Sequence, residues 1–180
     1  MRISGDEAEK NTIRIVAEKM CTAARTAPKT KGEDYIKTLI LTDEELVPIA
    51  AKMKEIAETS GMRYFLRDAE NILQSSALVF IGTQYAQREL NSICGLCGFA
   101  DCGKSKKAGA TCAFDSIDLG IAVCAAVSIA ADNRVDNRIM YSAGKAALDL
   151  NYFDNSVKSI MAIPISVSGK SIYFDRDFQE

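Results

Sequence analysis

At 180 residues, 48% apolar and 26% charged, with a formal net charge of −2, the chain has the make-up of one ordinary soluble domain whose core needs no disulfide staples. The balance of 22 Lys and Arg against 24 Asp and Glu argues against a nucleic-acid protein, and the absence of histidine removes Ser-His and Cys-His catalysis, imidazole metal ligands and the usual proton shuttle. Carboxylates, amines, phenols, thiols and bound cofactors are what remain for chemistry.

The N-terminus, Met1-Arg-Ile-Ser-Gly-Asp-Glu7, carries no apolar signal segment, so a cytoplasmic protein with reduced cysteines is expected. Apolar residues at 13, 16, 17, 20, 21 and 24 mark one face of a first helix, with Cys21 inside that face. Thr26-Ala27-Pro28 ends it. Tyr35–Leu41 reads as a strand, followed by a capping signal in Thr42 and Glu45 and a second helix patterned at Leu46, Ile49, Ala50, Met53, Ile56 and Ala57, with Gly61 closing it. A short helix is expected over Met62–Asn71. The continuous apolar run Ala77–Ile81 before Gly82 predicts a central strand covered on both faces.

From Gln84 to Thr111 the periodicity disappears and Gly and Cys take over. A helix over Asp115–Ala131 follows, apolar on nearly every side and therefore expected at the centre of the domain. Its most apolar stretch, Leu119–Ala131, spans 13 residues, short of the roughly 20 a bilayer requires. Another helix is expected over Val135–Leu150. A closing hairpin, Ile160–Val167 with Ile172–Phe174, completes the chain, with Pro164 pointing to an edge or bulge. The absence of a linker or repeat favours a single domain over 1–180.

Cys94, Cys97, Cys102 and Cys112 lie within 19 residues, at intervals of two, four and nine intervening or stepping positions as the loop turns on Gly95, Gly98, Gly103 and Gly109. Four thiolates on a glycine-rich loop are what a Cys-ligated metal centre requires, since backbone must wrap closely around the sulfurs. Zinc is one candidate and an iron–sulfur cluster, four-iron rather than two-iron, the other. The spacing favours the cluster, because zinc sites usually pair two short Cys knuckles and only one is present. Gly98-Phe-Ala-Asp-Cys-Gly-Lys-Ser105 also satisfies a phosphate-loop pattern, but no strand is expected directly before it and no long helix directly after. Lys104, Lys106 and Lys107 would offset cluster charge, meet an acidic partner or simply face solvent. Asp115 and Asp118, three apart at a helix start, read either as an acid/base pair or, more simply, as carboxylates favoured by the helix dipole. Asp132, Arg134, Asp136 and Arg138 read as caps and surface pairs between the last two helices.

The text Cys94-Gly-Leu-Cys97-Gly-Phe-Ala-Asp-Cys102 resembles the opening of a four-iron cluster domain found in electron-transport-complex and corrinoid iron–sulfur proteins. The resemblance implies Cys94, Cys97 and Cys102 as the first three ligands, with Cys112 as the fourth or Cys124 in its place. Ala23–Lys29, the cysteine loop, Phe114–Ala122, Val135–Arg138 and Ile163–Lys170 together resemble the ferredoxin-domain-containing family over nearly all 180 residues. The order of elements and the Ala27-Pro28-Lys29 turn are similar to the flavin-dependent nitroreductases. That likeness implies an α+β fold with a central, mainly antiparallel sheet packed by helices around a buried apolar helix, the cysteine-rich metal loop, 91–113, being inserted in it. It also implies a homodimer, and FMN with its phosphate near Arg25, Lys29 and Lys31, although the Arg-Arg-Ser opening and Gln-Pro-Trp segment of that family are absent.

The sequence thus reads as a redox protein carrying a [4Fe-4S] cluster and passing electrons to a partner protein, a small-molecule acceptor or a bound flavin, with no nucleic-acid or membrane partner. The alternative is a non-enzymatic interaction module stabilised by zinc or a cluster.

Overall fold

A computed structural model describes residues 1–174. The strands β1 (Ile36–Thr42), β2 (Ala77–Gln84), β3 (Asp136–Asn137) and β4 (Val157–Ser166) form one antiparallel sheet in the order β1-β2-β4-β3. Helices α1 (Gly5–Thr26) and α5 (Ala113–Asp132) cover one face; α2 (Leu46–Ser60), α3 (Tyr64–Leu73) and α6 (Tyr141–Asp149) cover the other. The remaining helix, α4 (Cys102–Lys107), belongs to the cysteine loop.

The apolar run of β2 explains this layering. Successive strand side chains point to opposite faces, so Leu78 and Phe80 enter the core beneath α2, α3 and α6, while Ala77, Val79 and Ile81 enter the core beneath α1 and α5. All are fully buried. In α1, Ile13, Val16, Ala17, Met20 and Ala24 form the buried stripe the periodicity predicts, and Ser4 Oγ accepts from the Glu7 N–H at its start. Cys21 sits half-buried at the edge of that stripe. On the other face α6 lies directly on β4, because a Cβ on Gly144 would stand 2.0 Å from the Ile160 carbonyl oxygen.

Four sequence expectations change. A 3-10 turn, Asp43–Glu45, precedes α2, and Thr42 makes no side-chain cap bond. The helix expected over Val135–Leu150 is divided: Arg134 turns at φ 58°, Asp136 and Asn137 pair with β4, Met140 bridges Ala162, and α6 begins only at Tyr141. Among the described residues no closing hairpin forms: β2 and β3 flank β4, and the turn at 172–174 instead sends Tyr173 into the core. Pro164 therefore stands in an inner strand. Hydrogen-bonding direction alternates along β4; Ala162 bonds toward Met140 and Ile165 toward Ser76, so the nitrogen of Pro164 faces the β3 side, in the gap between the Met140 bridge and the Asn137–Ile165 pair.

The fourth concerns α5. It is 20 residues long with mean hydropathy 1.7, enough by length and composition to cross a membrane, and only part of it is buried. Leu119, Ala122, Val123, Ala126 and Ala130 pack inward, whereas Ile117 and Ile121 are 43% and 40% exposed, and Cys124 shares their outer face. The helix is apolar all round, yet the domain encloses only one of its faces.

Candidate metal centre

Between the end of β2 and the start of α5 the chain is mostly irregular. Gly95 and Gly98 adopt φ 64° and 80°, conformations that side chains rarely take, and this lets the Cys94–Cys97 knuckle curl. Asp101 caps α4 by accepting from the Lys104 N–H at 2.8 Å, which fixes Cys102 as the first helical residue. Cys112 is the N-cap residue of α5. All six cysteines are free. Cys94, Cys97, Cys102 and Cys112 line one hollow, closed by Phe99, Phe114, Ser105 and Arg88. Cys124 is exposed on α5 and is not part of it.

The donors around the sulfurs favour thiolate. The Asn91 N–H points at Cys102 Sγ at 3.3 Å. The Phe99 backbone and then the Ser105 hydroxyl hold the Cys97 thiol below its ordinary range; Ser105 Oγ is buried without a well-aligned hydrogen-bond partner of its own. Among the described residues no three His, Cys, Asp or Glu side chains converge closely enough to hold one metal ion. Four thiolates on a single tetrahedral zinc at about 2.3 Å would stand roughly 3.8 Å apart. A four-iron cluster would instead give each thiolate its own iron.

Arg88 was not among the candidate residues read from the sequence. It is 1% exposed and lies between the hollow and α5. Its guanidinium forms ion pairs with Asp115 at 2.9 Å and Asp118 at 3.0 Å, donates to the Ala86 carbonyl at 2.6 Å and stacks over the Tyr35 ring at 4.6 Å. Its Nε is buried without a hydrogen-bond partner. Burial opposes its charge, but the Asp118 hydrogen bond and the two carboxylates outweigh that and hold it protonated. Burial chiefly pushes Asp115 above the carboxylate range, against the pull of Arg88. Asp115 and Asp118 thus anchor a buried cation, a partner that the sequence does not reveal. The one signal in the sequence is their i, i+3 spacing on an otherwise apolar helix, which calls for a buried partner of opposite charge.

Asp118 also accepts from the Thr30 N–H at 3.1 Å and the Thr30 hydroxyl at 2.8 Å. The cysteine loop is therefore connected, through Arg88 and Asp118, to the turn after α1. The basic residues of that turn are engaged locally. Lys29 Nζ donates to the carbonyls of Ala24, Arg25 and Ala27 at 2.6 to 2.7 Å, Arg25 pairs with Asp34, and Lys31 lies 3.2 Å from Glu33. Burial lowers the Lys29 pKa, although nearby carboxylates favour its charge.

The phosphate-loop pattern has the wrong frame. Turns occupy its first half, α4 begins inside it at Cys102, and β2 ended at Gln84. Lys104, Lys106 and Lys107 are exposed on α4. Arg138, expected in a local surface pair, instead reaches the buried Asp68 at 3.7 Å. Outside Cys102, Tyr85, Gln87, Glu89, Asn91 and Lys106 frame an open polar cleft of about 520 Å³.

A family profile described as "Uncharacterized protein containing a ferredoxin domain (DUF2148)" matches residues 108–176, a span that includes Cys112 but not the other three cysteines of the hollow. A protein of Archaeoglobus fulgidus described as "Uncharacterized protein" is 42% identical over 184 residues, covering 98% of both chains. Among solved structures, a nitroreductase family protein from Clostridium novyi NT aligns with TM-score 0.58 and 13% identity over 93% of this chain and 76% of its own. Nitroreductase CinD from Lactococcus lactis, in complex with chloramphenicol, aligns with TM-score 0.62 and 11% identity over 88% and 79%. An oxidoreductase containing FMN aligns with TM-score 0.59 and 12% identity over 87% and 68%. These structural likenesses establish a shared nitroreductase fold.

Proposed function

The chain belongs to the family of proteins containing a ferredoxin domain, and from that premise we propose that it is an iron–sulfur redox protein in which Cys94, Cys97, Cys102 and Cys112 hold one [4Fe-4S] cluster. The observation that carries this reading is that four free cysteines of one loop line a single hollow. A cluster bound there supplies one-electron transfer. The protein contributes binding and tuning. Asn91 and Phe99 direct backbone N–H groups at thiolate sulfurs, Ser105 adds a hydroxyl, and Phe99 and Phe114 shield the hollow from water. A reducing, cytoplasmic setting keeps the thiols available. The polar cleft outside Cys102 gives a small-molecule acceptor access to a ligand sulfur, and a redox protein would approach the same rim.

Flavin is a second reading, favoured by the scaffold alone. Arg25, Lys29 and Lys31 would have to leave their present partners to meet an FMN phosphate, so the cluster reading does not depend on it. The homodimer that the scaffold implies would use the outer face of α5, where Ile117 and Ile121 await cover.

Protein purified without oxygen is expected to be brown, with broad visible absorption that bleaches on addition of dithionite. Colourless protein that holds one zinc per chain under iron-replete conditions supports the interaction-module alternative.

A further inference from the structure

Arg88 is a cation that lines the cysteine hollow, 1% exposed, and its two carboxylate partners belong to α5 and are not among the residues lining the hollow. The three side chains do not neutralise one another: one guanidinium faces two carboxylates. Water does not screen a charge so buried, and unpaired buried charge is costly. The Nε donor left without a partner adjoins a hollow lined by four thiols, which become anionic when they bind metal. Asp118 in turn is fixed by two bonds from Thr30, so the guanidinium is held by both the turn after α1 and by α5.

We propose that Arg88 is the positioning residue that sets the reduction potential of the cysteine centre: Asp115 and Asp118 hold its guanidinium with the positive end toward the hollow, where it stabilises the added negative charge of the reduced state. The inference rests on the cluster reading above. It requires no transfer of atoms; the one electron gained by the cluster comes from an external reductant such as dithionite. Because the cation lines the hollow and its carboxylate partners do not, the two signs act in opposite directions. Removing the cation disfavours reduction. Removing a carboxylate partner favours reduction.

The test is a potentiometric titration of the loaded protein, followed by electron paramagnetic resonance, for the parent, Arg88→Gln, Arg88→Lys and Asp118→Asn, with iron counted in each. Arg88→Gln is expected to retain its iron and to shift the reduced-to-oxidised ratio at fixed potential at least tenfold toward the oxidised form, equivalent to about 59 mV for one electron. Arg88→Lys, which keeps the charge but loses the planar fork, falls between it and the parent. Asp118→Asn shifts the ratio the other way. Iron-loaded Arg88→Gln with the parent's potential would overturn the proposal while leaving the cluster reading intact. If Arg88→Gln cannot hold iron, Asp118→Asn decides: an upward shift supports the proposal, and an unchanged or lower potential overturns it. A parent that assembles no iron defeats both the proposal and the cluster reading.

Discussion

The scaffold and the cysteine loop are stabilised by different physics. In the scaffold, every residue of β2 from Ala77 to Thr83 is buried, and two apolar cores grip the sheet from either side. In the loop, Ile93 and Leu96 face outward at 87% and 60% exposure, while what is fully buried is polar or ligating: Arg88, Ser105 and Cys112. Burial at roughly 25 cal/mol per Å² of apolar surface holds the first region. The second has little such burial to offset the entropy of ordering its backbone, which is of order 1–2 kcal/mol per residue. In a loop of this kind the buried ion pairs of Arg88 do what apolar packing does in the scaffold.

The largest expected effect falls on the scaffold. Phe80 is fully buried and packs near Tyr152 and Phe153 at ring separations of 6.4 and 6.5 Å, so Phe80→Ala should cost about 3–5 kcal/mol in urea unfolding. Ile93→Ser should lie within about 0.5 kcal/mol of the parent. A comparable loss at both sites would erase the contrast.

Alkaline pH sharpens it next. Burial pushes the Tyr173 phenol up to about 12 from its ordinary 10.0. The folded form therefore keeps its proton when the unfolded chain has lost it, so this residue's contribution is complete below pH 10 and is lost as pH rises toward 12. The loss is at most about 2.7 kcal/mol. Tyr173→Phe cannot titrate and should lose less stability over that window, while giving up about 1 kcal/mol at neutral pH with its bond to Ser75. Parallel alkaline unfolding of both proteins would argue against the buried phenol.

Stripping the metal should spare the scaffold and loosen the loop. Backbone amides in 91–111 are expected to exchange with deuterium much faster in chelator-treated protein, and those of α1 and β2 at unchanged rates. Uniform acceleration would mean that the metal holds the whole domain. The smallest effect is at the turn after α1. Lys29→Ala removes a cation from three helix-end carbonyls and should cost about 1 kcal/mol. It should also leave iron content unchanged, because Lys29 faces the helix end and not the cysteines.

What the sequence reveals follows the same division. The α1 stripe is legible from its spacing, β2 and the helix after the loop from their unbroken apolar runs, and the four cysteines from their clustering. The split between β3 and α6 is not: Asp136 and Asn137 carry no strand pattern, and their pairing is set by the free side of β4. The outer face of α5 is hidden for a related reason, since an apolar helix looks the same whether the domain or something else covers it. Arg88 is the clearest case. A single arginine in an irregular loop resembles a solvated charge until Asp115 and Asp118, 27 and 30 residues later, are brought beside it. Only the fold supplies that proximity.

The most direct test of the account is a count of iron and acid-labile sulfide in protein assembled without oxygen, in the parent, Cys97→Ala and Cys21→Ala. The account predicts about four irons per chain in the parent, following one thiolate per iron. It predicts the same count in Cys21→Ala, whose thiol burial has raised and which sits at the edge of the α1 core, and a collapse in Cys97→Ala. Equal retention of iron in all three proteins, or stoichiometric zinc with negligible iron in the parent, would contradict it.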